Sequence, residues 1–202
     1  MQKLLIATGN LGKVKELQIL LASLDVQLVT PAEVGLNLEV LEDGETYAEN
    51  AGKKALVYSQ ASGLIAFADD SGLEVDALGG APGLYSARYS PLPGNKLATD
   101  ADRRAYMLKN LSGKPRPWTA HFHATIAISR LDGPLLFAEG NCFGEIIPEE
   151  RGDNGFGYDP IFFIPETNRT MAELSMDEKN RLSHRALAVK NALPLLQMLL
   201  KG

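Results

Sequence analysis

The chain has 202 residues, 45% of them apolar and 22% charged, an ordinary globular composition with enough length to bury a core. Its net charge of −5 excludes a general electrostatic grip on nucleic acid and leaves phosphate binding to local basic sites. The single cysteine, Cys142, excludes an intramolecular disulfide. No run approaches the roughly 18 apolar residues of a membrane span, and the apolar stretch 4–7 is too short for a signal peptide. A cytoplasmic protein is expected, with neither nucleic acid nor a membrane as partner.

Residues 3–7 predict a short buried strand, broken by Thr8-Gly9-Asn10. Val14, Leu17, Leu20, Leu21 and Leu24 recur at three- and four-residue spacing and predict a helix after the break. A second strand is expected over 26–29, stopped by Pro31, and an acidic loop over 39–44. Thr46 and Glu49 have capping-box spacing and predict a helix to about Ser62. The apolar run 64–68 predicts a third strand that ends in Asp69-Asp70-Ser71-Gly72. Residues 78–83 are glycine-dense and read as a loop, and 99–111 as a helix. Longer strands are expected over 118–129 and 135–145, around a turn at 131–134. A second glycine-rich loop covers 151–157, and a short strand 161–164. Ser175 and Glu178 form another capping box, and the last helix runs from about Ser183 to Leu200, with Pro194 expected to kink or interrupt it. Early helix–strand alternation and a central strand hairpin predict an α/β protein with a mixed sheet, organised as a single domain over 1–202.

Four constellations could carry chemistry. Thr8-Gly9-Asn10-Leu11-Gly12-Lys13 joins a strand to a helix, where free N–H groups, the helix dipole and the charges of Lys13 and Lys15 suit a phosphate. The run is neither a Walker A loop nor GxGxxG, and a plain turn capped by Asn10 accounts for it as well. Glu42, Glu45 and Glu49 with the adjacent Asp69 and Asp70 form an oxygen-rich set suited to a hard divalent ion; a solvated strand end is the alternative. In Asn154-Gly155-Phe156-Gly157-Tyr158-Asp159-Pro160, an aromatic flanked by glycines can stack on a nucleobase or tuck into the core. Lys179 with Ser183-His184-Arg185 can contact anions or a base edge, or form only a helix entry. His121 and His123 lack a third zinc ligand and read as structural, and neither Cys142 nor Ser71 has a partner that would make it a nucleophile.

Taken together, these blocks resemble the inosine triphosphate pyrophosphatase family, enzymes that remove noncanonical purine nucleoside triphosphates. The resemblance runs through 7–13, Glu42-Asp43-Gly44, Glu49-Asn50-Ala51, 68–73, Gly79-Gly80-Ala81-Pro82-Gly83, Ser86-Ala87-Arg88-Tyr89, 155–163, Ala172-Glu173-Leu174, Glu178-Lys179 and Ser183-His184-Arg185. It implies a mixed, elongated, twisted sheet flanked by helices, in two lobes with a central cleft, and a homodimer. The implied reaction is Mg²⁺-dependent hydrolysis of ITP, dITP or XTP to the monophosphate and pyrophosphate. By the resemblance, Thr8, Gly9, Asn10, Leu11, Gly12 and Lys13 cradle the triphosphate, with Lys54 assisting. Asp70 is the general base and a metal neighbour, Glu42 binds or orients the metal, and Ser71 contacts substrate. Phe156, Gly157, Tyr158 and Asp159 hold the base, while Lys179, His184 and Arg185 read its 6-oxo edge or the phosphates.

Two positions depart from the family pattern. Tyr47 stands where phenylalanine is usual, and the nearness of Glu45 to Glu42 leaves open which of them faces the metal. Residues 91–98 match no motif and receive no role. A Maf-like pyrophosphatase acting on modified pyrimidines or methylated bases is a competing enzyme reading, and a nucleotide sensor without turnover is one from another class.

Overall fold

The computed structural model describes residues 1–90 and 98–201, so the segment 91–97, to which no role was given, lies outside the described residues. The apolar run after Met1 forms β1 (Gln2–Ile6), paired in parallel with β2 (Val26–Val29) and with β3 (Ile65–Val75). Helix α1 (Leu11–Leu20) follows β1, and Asn10 caps it by accepting from the N–H groups of Gly12 and Lys13. Helix α2 (Tyr47–Ser62) begins at Thr46, whose side chain accepts from Glu49 N at 3.1 Å. The Glu49 carboxylate takes the Glu45 N–H at 2.6 Å instead of returning to Thr46.

Further along, β4 (Pro82–Gly83) pairs antiparallel with β3, inside the segment read as loop. Helix α3 (Asp100–Leu111) carries a full Thr99–Asp102 capping box. Strands β5 (Trp118–Ser129) and β6 (Leu136–Ile146) lie where two long strands are predicted. Then come β7 (Phe162–Ile164), β8 (Arg169–Thr170), α4 (Met176–Leu182) and α5 (His184–Lys201). The mixed sheet has the strand order β2-β1-β3-β5-β6-β7-β8 among the described residues, with β4 beside β3.

The chain forms two compact units. The first comprises Met1–Ser71, Ala124–Gly140 and the chain from His184 onward; the second comprises Gly72–His123 and Asn141–Ser183. In the first unit, strand parity separates two cores. Leu4, Ile6, Ile65 and Phe67 pack with Val14 and Leu17 of α1 and Val189, Ala192 and Leu196 of α5. Leu5, Ala7, Ala66 and Ala68 pack with Ala51, Ala55 and Tyr58 of α2, where the small residues bring helix and sheet close. The second unit has its own core, built on Leu73, Met107, Leu111, Trp118, Ile146, Phe162 and Met171.

Two expectations need correction. β3 does not end at the acidic pair but runs on through Asp69, Asp70 and Ser71 to Val75. The two charges persist inside a strand because alternation sends them to opposite faces, each toward its own cations. Of the kink or interruption expected at Pro194, the interruption does not occur: α5 is helical from His184 to Lys201. Ala192, Leu196 and Leu199 are buried around it, and that packing offsets the lost backbone hydrogen bond.

Candidate active site

Phe67 and Asp69 share one face of β3, so Asp69 points to the side covered by α1 and α5. It is fully buried, and its Oδ2 lies 2.8 Å from Lys13 Nζ and 3.2 Å from Arg185 Nη2. Arg185, in the first turn of α5 and 2% exposed, also donates to Ser71 Oγ at 3.0 Å and pairs with the buried Glu16 of α1. Buried ions persist only when paired and hydrogen-bonded. This face supplies two acids and two bases.

Asp70 points the other way, to the face covered by α2. Lys54 of that helix places its Nζ 3.3 Å from Asp70 Oδ1, 2.6 Å from Glu42 Oε1 and 2.8 Å from the Asp69 carbonyl oxygen. The acidic loop is folded onto α2 by bonds from Gly44 N to Asn50 Oδ1 and from Tyr58 Oη to Leu38 O. Glu42 is therefore the glutamate that shares a cation with Asp70. Glu45 is exposed, and the carboxylate of Glu49 is bound to its backbone.

The two aspartates are driven apart in proton affinity. Burial acts to raise the Asp69 pKa, but Arg185 and Lys13 outweigh it and hold the carboxyl far below the usual range. Asp70 is also raised by burial; Lys54 and Lys13 oppose this, Glu42 and Asp69 add to it, and the net shift is upward. Burial pulls Lys13 down, whereas Lys54, also opposed by burial, is held above its ordinary value by Asp70 and Glu42. Neighbouring acids with opposite shifts divide into one fixed charge and one proton acceptor.

The donor set around Lys54 consists of oxygens alone, from two carboxylates and a carbonyl. That chemistry fits a hard divalent cation, which takes one or two protein carboxylates and fills its other positions with water and phosphate oxygens. On the other face of β3, the Oδ1 of Asp69 is buried with no hydrogen-bond partner among the described residues. Among the described residues, no group of three or more His, Cys, Asp or Glu is placed to hold an ion.

The segment from Thr8 to Lys13, a short loop and the first turn of α1, sits at the carboxyl end of β1. Gly9, Asn10 and Leu11 are exposed, and the Asn10 N–H bonds to Thr8 Oγ1 at 3.2 Å. A Cβ on Gly9 would meet nothing within 4 Å, so the backbone there stands open to a ligand. His184 is buried at the start of α5.

The aromatic loop belongs to the second unit. Gly155 and Gly157 both have left-handed backbones, with φ of 78° and 64°, on either side of the half-buried Phe156. A Cβ on Gly155 would lie 2.0 Å from Asp159 Oδ2, so only glycine fits. Asp159 accepts from Phe156 N at 3.0 Å and pairs with Lys179 Nζ at 2.6 Å, and that ammonium lies 5.2 Å from the Phe156 ring centroid. The Tyr158 ring is turned into the core, its hydroxyl donating to Ser86 O at 2.8 Å.

The first unit thus gathers Thr8, Gly9, Asn10, Leu11, Gly12, Lys13, Glu42, Lys54, Asp70, Ser71, His184 and Arg185, and the second gathers Phe156, Gly157, Tyr158, Asp159 and Lys179. Sequence reading passed over Glu16, Asp100, Arg104 and Glu150. Glu16 left a trace: it follows Lys13 by three positions, beside Leu17 on the apolar stripe of α1, where a lone acid implies a buried partner. The other three act through a long-range contact with no local pattern. His121 lies 3.7 Å from Glu74, and His123 Nδ1 lies 2.7 Å from Asn141 Oδ1. Buried Cys142 has its pKa pushed up to about 12 by that burial, which leaves it a poor nucleophile.

The model of the Ham1 family matches residues 4–195. The dITP/XTP pyrophosphatase of Desulforamulus reducens is 48% identical over 198 residues, which cover 98% of this chain and 96% of that protein. That of Thermus thermophilus is 46% identical over 191 residues, 93% of this chain and 88% of the relative. Among solved structures, a HAM1 protein from Coxiella burnetii matches with a TM-score of 0.87 and 40% identity, over 98% of this chain and all of that one. With likeness in sequence and in fold extending over nearly the whole length, the chain belongs to the Ham1 family.

Proposed function

We propose that this protein hydrolyses the noncanonical purine nucleoside triphosphates dITP, XTP and ITP to the monophosphate and pyrophosphate, clearing them from the nucleotide pool. The observation that carries this reading is the split acidic pair: Asp69 fixed as an anion by Lys13 and Arg185, Asp70 raised in proton affinity beside Lys54 and Glu42. The names of the relatives from Desulforamulus reducens and Thermus thermophilus support it. The family likeness runs through both units, which supports treating them as one enzyme domain.

Phosphoryl transfer needs charge neutralisation and positioning more than a covalent nucleophile. Lys13 and the open backbone at Gly9 receive the triphosphate. Asp70 takes a proton from water as its oxygen bonds to the α-phosphorus, and the α–β anhydride bond breaks to release pyrophosphate. Glu42 and Asp70 would hold a Mg²⁺ ion, which would screen phosphate charge. Lys54 pairs with both carboxylates and holds them together. Arg185 braces Asp69 and Ser71.

Phe156 offers a ring face to the purine. Lys179, which can only donate, faces O6 of hypoxanthine or xanthine, whereas adenine presents an amino group there. An unpaired buried polar group costs about 1–3 kcal/mol, enough for useful discrimination. A homodimer and a cytoplasmic location complete the proposal. The test is pyrophosphate release from ITP, XTP, dITP, ATP and GTP with and without Mg²⁺. Metal-dependent release from the first three and little from the others is expected. Equal turnover of all five removes the base-selectivity account, and binding of ITP without turnover removes the reaction.

A further inference from the structure

The aromatic loop has an anchor that the reaction scheme does not use. Gly157, the residue after Phe156, is held at both ends of its backbone by the first two turns of α3. Its N–H donates to Asp100 Oδ2 at 2.7 Å, and its carbonyl accepts from Arg104 Nη1 at 2.8 Å. Both clamping side chains are themselves fixed. The other oxygen of Asp100 pairs with Arg103, and Arg104 is forked onto Glu150, with Nε at 2.9 Å from one carboxylate oxygen and Nη2 at 2.8 Å from the other. The Thr99–Asp102 capping box fixes the start of the helix that carries them.

Two left-handed glycines make the loop intrinsically permissive, so the direction of the Phe156 ring is not set by its own backbone preferences. On the upstream side, Asp159 and Lys179 hold the Phe156 N–H and one flank of the ring. On the downstream side, among the described residues, Gly157 hydrogen-bonds to α3 alone. A bidentate, pre-oriented guanidinium has less freedom to lose than a lone ammonium and makes a firmer anchor.

We propose that Asp100 and Arg104 are positioning residues for the purine platform: by gripping the Gly157 peptide from both sides, they set the Phe156 ring to receive the base. The inference rests on the reading of Phe156 as that platform. It concerns binding of the base alone. Losing the clamp therefore weakens nucleotides and leaves the triphosphate's own affinity unchanged.

The experiment compares wild type, Asp100→Ala, Asp100→Asn, Arg104→Ala, Arg104→Lys and Phe156→Ala, with folding checked by thermal melting. Steady-state ITP and XTP hydrolysis is measured alongside inhibition by inorganic tripolyphosphate, which has no base. Asp100→Ala and Arg104→Ala are expected to raise KM about five- to tenfold with little change in kcat, the pattern of lost uniform binding. Tripolyphosphate inhibition should stay within about twofold of wild type, since it does not draw on the loop. Asp100→Asn keeps an oxygen acceptor for Gly157 N and is expected to recover most of the KM. Arg104→Lys, which cannot form the fork onto Glu150, should recover less.

Unchanged KM in folded alanine variants overturns the proposal, as does a parallel weakening of tripolyphosphate, which would mark a general structural effect. If Arg104→Ala fails to fold, Arg104→Lys decides, because wild-type KM there also overturns the proposal, and if Asp100→Ala fails to fold, the two Arg104 variants decide. Phe156→Ala separates the layers. A raised KM there with inert clamp variants rejects this inference alone, while an unchanged KM rejects the platform and the inference together.

Discussion

A carboxylate serves as a base when its proton affinity is raised while a neighbour keeps it charged, and Asp70 has both conditions in burial and Lys54. Asp70→Asn preserves size and an oxygen toward Lys54 but cannot accept the proton. Turnover of ITP is expected to fall by about 10²- to 10⁴-fold with nucleotide affinity retained within a few-fold. Rapid-quench assays and titration calorimetry check the two halves, and substantial activity would remove Asp70 from the base role. Gly155 makes a different demand. Its φ of 78° and the 2.0 Å approach to Asp159 Oδ2 leave no room for a side chain. Gly155→Ala is expected to lose about 1–3 kcal/mol in urea unfolding and to disturb the Asp159–Lys179 pair. Full stability would mean that the loop relaxes more easily than its geometry implies.

At the scale of elements, β3 and the helices over its two faces decide which charges meet. Strand alternation puts Asp69 with α1 and α5 and Asp70 with α2, so adjacent acids find separate cations. Helix α2 matters because it carries Lys54, and its start is fixed by Thr46. Thr46→Ala is expected to cost about 1 kcal/mol in chemical denaturation, since the Glu49 N–H loses its acceptor. No change in the midpoint would place the helix start under the control of the acidic loop instead. α5 shows the complementary case: a proline that intrinsic preference sets against the helix is absorbed because the flanking leucine and alanine side chains are buried.

At the scale of the whole molecule, the burial that creates the site also sets the response to pH. The Cys142 thiol is pushed from its ordinary value of 9.0 to about 12 in the folded state. Above pH 9 the unfolded chain gives up this proton while the folded chain keeps it, so unfolding gains and stability falls as pH rises from about 9 toward 12. Melting temperature should therefore decline across that window, and Cys142→Ala should flatten the slope whatever its effect at neutral pH. An unaltered slope would assign the alkaline loss to other groups. Asp69 has the opposite sign: its folded pKa is depressed, so its contribution is present above the ordinary carboxylate range and disappears in acid.

The sequence by itself determined most of the elements and most of the site's inventory. Apolar periodicity, the Thr46 and Ser175 caps and the turn at 131–134 are local signals, and α2, β5, β6 and α4 follow them closely. The family resemblance, carried by ordered blocks from Ala7 to Arg185, was legible for the same reason: each block is contiguous in the chain. Only the tertiary structure decided which side chains share an ion. That Arg185 is spent on Asp69, Glu16 and Ser71, that Glu42 and not Glu45 joins Asp70 at Lys54, and that α3 grips Gly157 all depend on contacts between distant segments. Such pairings have no local signature, because they are fixed by strand register and helix packing, which arise only once the two cores of the first unit and the core of the second have closed.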